Sequence, residues 1–121
     1  MSQTIVITGA NRGIGLAMAT ICKQRGDIVY ALCRKSSPLL NELNVNVIEN
    51  IDIATEEGIT RAKSAIGNTT IDLLINNAGI LRDESLDNFN QETITEQFAV
   101  NALAPLALTQ ALLSNFISGC K

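Results

Sequence analysis

The stretch from Thr4 to Gly15 reads T-I-V-I-T-G-A-N-R-G-I-G, an apolar run followed by three glycines. Residues with good helix propensity follow from Leu16 onward, so the pattern predicts a strand, a glycine-rich turn and a helix in that order. Such a helix directs its unpaired N–H groups and the positive end of its dipole at the turn, which favours a diphosphate there. Gly9 would form the tight turn, Gly13 would admit the phosphates and Gly15 would let helix and strand pack closely. A glycine-rich turn that binds no ligand is the alternative for this stretch taken alone.

Composition limits the classes of protein and site that fit the chain. The sequence has 121 residues, of which 46% are hydrophobic and 17% charged, and this indicates one globular domain. A net charge of -3 and an aromatic content of only 3% argue against nucleic acid as a partner. The chain has no histidine, so neither a Ser-His-Asp triad nor a histidine metal site is expected.

The cysteines and the first residues of the chain indicate the compartment. Cys22, Cys33 and Cys120 are odd in number and far apart, so neither a disulfide framework nor a metal site is expected. The start has no signal-peptide pattern, and no apolar run is long enough to cross a bilayer. We therefore expect a soluble, cytoplasmic protein with no membrane partner.

Beyond the opening stretch, apolar runs alternate with helical patterns. The predicted strands are residues 5–7, 28–33, 45–48 and 73–75. The predicted helices are residues 16–25, a short turn at 39–43, residues 56–66 and residues 90–116, with a polar loop at 78–88 before the last. The sheet-facing residues predicted for the first helix are Ile14, Ala17, Met18 and Ile21. Pro105 should break or kink the last helix after Asn101. The alternation predicts an α/β fold, a doubly wound parallel sheet with strand order 3-2-1-4.

Four motifs resemble those of the short-chain dehydrogenase/reductase family, whose members are Rossmann-fold oxidoreductases. The motifs are T-G-x-x-x-G-x-G at residues 8–15, D-[VIL] at Asp52 and Ile53, N-N-A-G at residues 76–79, and a helical asparagine at Asn101 ahead of Pro105. They occur in the family's order and span nearly the whole chain. The resemblance implies a Rossmann-like sheet that binds a nicotinamide dinucleotide.

The resemblance also implies roles for individual residues. Asp52 would accept a hydrogen bond from the adenine amino group, with the backbone of Ile53 beside it. Residues 77–79 would border the ribose, and Asn101 would act in catalysis by holding a water in a proton relay. Structural alternatives stay open, since Asp52 could cap the following turn, Asn77 could satisfy backbone groups and Asn101 could be a helix-kink residue.

The end of the second predicted strand distinguishes between the two nicotinamide cofactors. NAD sites place a carboxylate there, which binds the ribose 2′-hydroxyl group. This chain has no acidic residue at that position, because its second strand ends Cys33-Arg34-Lys35. Arg34 could stack on adenine and bind a 2′-phosphate with two hydrogen bonds, and Arg12 could reach the same phosphate. The charges predict NADP(H) rather than NAD(H), and the alternative is that they are solvated loop charges.

A set of residues is thus predicted to bind the cofactor. They are Gly9, Asn11, Arg12, Gly13, Ile14, Gly15, Arg34, Asp52, Ile53, Asn77, Ala78 and Gly79. The resemblance implies hydride transfer to or from a carbonyl or alcohol carbon of a small-molecule substrate. The family uses a serine and a Tyr-x-x-x-Lys pair for the proton, but the only tyrosine here is Tyr30, and the residue four positions later is Arg34.

The chain therefore resembles the N-terminal, cofactor-binding half of such an enzyme. Residues 1–121 would form an NAD(P)-binding Rossmann half-domain, truncated before the later strands and inactive alone. A full-length chain would form a homo-oligomer. Without a fifth strand, residues 73–75 would form an exposed edge, and the fragment would be weakly stable or self-associating. A non-catalytic nucleotide-binding module or an inactive truncated product is the alternative.

Overall fold

A single parallel sheet forms the centre of the computed structural model, which describes residues 2–80 and 90–116. Its strands are β1 (Thr4–Thr8), β2 (Ile28–Leu32), β3 (Asn46–Ile48) and β4 (Leu73–Ile75). Their order is β3-β2-β1-β4, which confirms the predicted α/β fold and strand order. Because β1 pairs with both β2 and β4, the turn after Thr8 lies between two other strand ends.

Helices follow the strands in the predicted alternation. They are α1 (Gly13–Gln24), α2 (Pro38–Glu42), α3 (Glu56–Ile66), α4 (Gln91–Phe98) and α5 (Ala104–Ala111), with a π-helical turn at Ala99–Leu103 and a 3-10 turn at Leu113–Asn115. Side chains on the two faces of β1 enter different core clusters. Ile5 and Ile7 pack with residues of α1 and α2, whereas Val6 packs with residues of α3 and α5. Burial on both faces explains why β1 is apolar throughout its centre, as parallel sheets require.

The buried face of α1 differs from the predicted one. The buried residues are Gly15, Ala19 and Cys22, whereas Ile14 and Ile21 are 73% and 55% exposed. Ala17, also expected on the sheet side, is exposed, and only Met18 of the predicted set packs against the core. The prediction followed the apolar residues, but the rotation of the helix is set by the small residues that let it approach β1.

The disturbance predicted at Pro105 takes the form of a π-helical turn at Ala99–Leu103, which interrupts the α-helix without ending the helical region. The backbone stays helical from α4 through a π-helical turn into α5, and Pro105 lies in the first turn of α5. An α-helix would need the N–H that proline lacks in order to bond the carbonyl of Asn101. The wider turn contains Asn101 and closes with a bond from the Ala104 N–H to the Ala99 carbonyl. A π-helical turn therefore accommodates the proline.

The end of the described chain also departs from the prediction of helix to Phe116. The 3-10 turn follows α5, and Phe116 is extended and forms a parallel bridge with Ile71. The Asn115 carboxamide fixes this arrangement by donating to the carbonyls of Gly67 and Thr69, each at 2.8 Å. Most of the predicted loop at 78–88 lies outside the described residues, as does Cys120.

Two further properties concern residues 2–80 and 90–116. No helix in these ranges combines the length and the apolar character needed to cross a bilayer. No group of three potential metal ligands comes together there either.

Candidate functional site

The turn between β1 and α1 leaves a set of backbone amides without partners. The first α-helical bond runs from the Leu16 N–H to the Arg12 carbonyl, at 3.2 Å. The N–H groups of Gly13, Ile14 and Gly15 therefore precede the bonded part of the helix, and no acceptor for them is found in the described chain. The Arg12 side chain does not cap the helix. Three donors and the positive end of the helix dipole thus face the turn.

Other helices in the fold are capped by their own sequence. The Ser37 hydroxyl accepts from the Leu40 N–H in α2, and the Thr55 hydroxyl accepts from the Gly58 N–H in α3. The Asn90 carboxamide accepts from the first turn of α4. The start of α1 has a glycine-rich turn in place of such a cap, which is the arrangement that an anionic ligand needs.

Close packing explains two of the glycines. Gly9 has a φ of +64°, and a side chain there would begin 2.9 Å from Cα of Ala78. A side chain at Gly15 would begin against the Gly9 carbonyl oxygen and 2.5 Å from Nδ2 of Asn77. By contrast, nothing in the described chain lies within 4 Å of the corresponding position at Gly13. Gly9 and Gly15 thus serve the approach of α1 and the β4 loop to the turn, as predicted for Gly15.

A hydrogen-bond network joins the turn to the segment after β4. The Thr8 hydroxyl, in a residue only 1% exposed, accepts from the N–H groups of Asn77 at 3.0 Å and Ala78 at 2.9 Å. In return, Nδ2 of Asn77 donates to the carbonyls of Thr8 at 3.3 Å and Gly9 at 3.2 Å. The Asn77 side chain therefore satisfies backbone groups, which was the structural alternative for this residue.

Replacing Thr8 with valine is expected to lower the free energy of unfolding by about 2 kcal/mol. The two side chains have nearly the same shape, but valine leaves the partly buried Ala78 N–H without its acceptor, while the Asn77 N–H keeps a bond to the Ile75 carbonyl at 3.1 Å. Urea unfolding followed by circular dichroism measures the change. Thr60→Val, at an exposed position of α3, is the matched control. Equal stability of the two variants would contradict the role of the Thr8 hydroxyl.

A cleft of about 810 Å³ lies where the carboxyl ends of the strands meet. Of the twelve residues predicted to bind a cofactor, eleven line it, and Gly15 is the exception because it is buried beneath the turn. Further lining residues that the sequence argument did not select are Thr8, Leu32, Cys33, Lys35, Ile51, Ala54, Ile80, Glu96 and Val100. Most of these adjoin a recognised motif, but Glu96 carries no local signal and reaches the cleft only through the placement of α4.

Asp52, on the predicted adenine side of the cleft, has one oxygen that caps a turn and one that a ligand could use. Its Oδ1 accepts from the Ala54 N–H at 3.0 Å, which is the turn-capping alternative. Its other oxygen has no hydrogen-bond partner in the described ranges, so it can still accept from a ligand. Cys33 also lines the cleft, and burial, with the charge of Glu49, raises the pKa of its thiol. Cys33 is therefore an uncharged thiol at neutral pH.

The cleft also has cationic side chains. Arg12, Arg34 and Lys35 are exposed and line it. The structure's described part contains one ion pair, between Arg25 and Asp27, so none of the three cleft cations is neutralised by a carboxylate of the described chain. They are available to an anionic ligand.

Asn101 and Tyr30, the residues bearing on proton transfer, lie away from the cleft lining. The Asn101 carboxamide pairs with the backbone of Ile80, accepting from its N–H at 2.8 Å and donating to its carbonyl at 2.6 Å. Ile80 in turn lines the cleft. Tyr30 points from β2 into the core cluster that contains Val6, so the only tyrosine of the sequence is not at the site.

Known proteins share both this sequence pattern and this fold. L-xylulose reductase from Caenorhabditis elegans is 29% identical over an alignment of 122 residues, which covers 95% of this chain and 48% of that protein. The NADPH-bound carbonyl reductase from chicken fatty liver is 30% identical with a TM-score of 0.83, over 93% of this chain and 51% of that one. The L-sorbose reductase of Gluconobacter frateurii, solved with NADPH and L-sorbose, is 26% identical with a TM-score of 0.81, over 94% of this chain and 47% of that one.

The match extends over nearly all of this chain but not over all of its relatives. The chain spans about half the length of the curated relatives it matches, for example 43% and 53% of two of them. The family model for short chain dehydrogenases matches residues 3–121. The chain therefore belongs to the short-chain dehydrogenase/reductase family.

Proposed function

We propose that this chain is the NADP(H)-binding half-domain of a short-chain oxidoreductase, comprising residues 1–121. The observation that carries the proposal is the juxtaposition of two features in one cleft: the start of α1, which no described side chain caps, and the cations Arg12 and Arg34, which pair with no described carboxylate. The first suits a diphosphate and the second suits an additional phosphate. Two of the similar solved proteins were determined with NADPH, which supports the same choice.

The other residues predicted to bind the cofactor would surround the same dinucleotide. The diphosphate would lie on the amides of Gly13, Ile14 and Gly15, beside Gly9. The adenine would lie between Asp52 and Ile53, where one carboxylate oxygen is without a protein partner. Asn77, Ala78 and Gly79 would border the ribose, with Asn77 held by the backbone of the turn.

The proposed reaction is hydride transfer to or from the carbonyl or alcohol carbon of a small molecule. The bound nicotinamide supplies or accepts the hydride, and this chain binds and orients it. Asn101 would hold a water for proton transfer: with Ile80 bonded to it, its carboxamide keeps one acceptor lone pair and one N–H. Either group can form a hydrogen bond with such a water.

For the 121-residue chain alone, we propose binding without turnover. Tyr30 is the only tyrosine in the sequence and contacts the core rather than the cleft, so no phenol of this chain is placed to move the proton. This observation favours the second candidate function, a nucleotide-binding module, for the isolated chain. NADPH binding with no consumption in the presence of a ketone would support it.

Binding titrations with NADPH and NADH test the proposal directly. We expect saturable quenching or enhancement of nicotinamide fluorescence, with NADPH at least about tenfold tighter, since that ratio corresponds to one charge-assisted contact. Equal affinity for the two dinucleotides would remove the NADP(H) assignment. Absence of binding to either, by a chain that melts cooperatively, would remove the nucleotide site altogether.

A further inference from the structure

We infer that Asn11 is a positioning residue for cofactor discrimination, because it ties the glycine turn to the loop that carries the selecting cations. Its Nδ2 donates to the carbonyl of Lys35 at 2.9 Å, across a separation of 24 residues. Asn11 lies in the turn after β1, and Lys35 lies in the loop after β2. The Asn11 carboxamide, which was predicted to contact the cofactor, therefore forms a hydrogen bond with the loop after β2.

Loop 34–37 is held from its other side by residues that follow β3. Oε2 of Glu49 accepts from the Ser36 N–H at 3.0 Å, and the Asn50 N–H donates to the Arg34 carbonyl at 3.0 Å. Asn11 supplies the opposing anchor from the turn. Within the described residues, its bond is the one hydrogen bond between the turn and this loop. The backbone of Arg34 and Lys35 is thus fixed between two supports.

The consequence follows from the geometry of one ligand that touches both loops, and it rests on the proposed function. A 2′-phosphorylated dinucleotide carries its diphosphate and its 2′-phosphate at a bounded separation, so it benefits when both loops are held in place beforehand. A dinucleotide with a plain 2′-hydroxyl carries no 2′-phosphate for the cations in loop 34–37 to bind. Loss of the Asn11 bond should therefore weaken NADPH binding more than NADH binding.

Asn11→Ala tests this inference through the ratio of NADPH affinity to NADH affinity, which a purely structural defect would not change. We expect NADPH affinity to fall about fivefold and NADH affinity to fall less than twofold, with Asn11→Ser, whose hydroxyl is too short to reach Lys35, behaving alike. In an Arg34→Ala background the same Asn11→Ala change should have little further effect on NADPH, because the cation that it positions is gone. Asn68→Ala, at an exposed asparagine beyond α3, is the control.

The outcomes separate the inference from the function on which it rests. A wild-type chain without NADPH preference would overturn the proposed function. A wild-type chain that prefers NADPH and loses the preference with Arg34→Ala, but whose Asn11 variants weaken both dinucleotides equally or neither, would overturn the positioning role alone. A selective loss for NADPH that disappears in the Arg34→Ala background supports it.

Discussion

Replacing Gly15 with alanine is expected to destabilise the chain by about 3 kcal/mol, although alanine is the better helix former. Gly15 lies inside α1, where helix propensity alone would favour alanine by about 1 kcal/mol. The added methyl group would meet the Gly9 carbonyl oxygen, which is backbone, and Nδ2 of Asn77, which two hydrogen bonds to the turn hold in place. The sign of the change therefore distinguishes close packing from propensity.

The same substitution should weaken dinucleotide binding. To relieve the contact, α1 must move away from β1, and the amides of its first turn move with it. We expect the affinity for NADPH to fall at least tenfold, measured by the same fluorescence titration, together with a lower midpoint in urea. Ala17→Gly, at an exposed position of the same helix, measures the effect of helix propensity alone. It should lower the free energy of unfolding by about 1 kcal/mol. A Gly15→Ala chain more stable than the wild type would disprove the packing role.

The strand order and the convergence of the site residues could be predicted because both follow from topology. Parallel strands joined by crossovers present their carboxyl ends at one edge of the sheet, so residues following all four strands meet there. Arg34, Asp52 and Ala78 accordingly line one cleft although they are far apart in sequence. Local signals, namely the glycines and the apolar runs, were sufficient to place each strand.

The details that were missed depend on packing between elements. Helical periodicity selected Ile14 and Ile21 for the buried face of α1, yet Gly15 and Ala19 occupy it because small residues permit the close approach. The bond between Asn11 and the Lys35 carbonyl depends on where two loops lie, and no sequence spacing encodes it. The π-helical turn is another such case, since proline predicts a disturbance but not the form that it takes.

Replacing Arg34 with aspartate is expected to shift the ratio of NADPH to NADH affinity by about 100-fold toward NADH, which corresponds to about 2.7 kcal/mol. Arg34 lies in the loop after β2, lines the cleft and has no carboxylate partner in the described chain, so its charge is available to a 2′-phosphate. Aspartate replaces attraction by repulsion for NADPH, and it restores the carboxylate that binds the 2′-hydroxyl group in NAD sites.

The titration that measures this shift should be carried out at low and at high salt, since an exposed charge contact weakens as ionic strength rises. Lys63→Asp changes the net charge equally at an exposed position of α3 outside the cleft, and its affinity ratio should equal that of the wild type. An Arg34→Asp chain with unchanged discrimination would contradict the selection by charge. Equal losses for both dinucleotides would instead place Arg34 against the adenine ring that both carry, and the preference for NADP(H) would then have to come from Arg12 or Lys35.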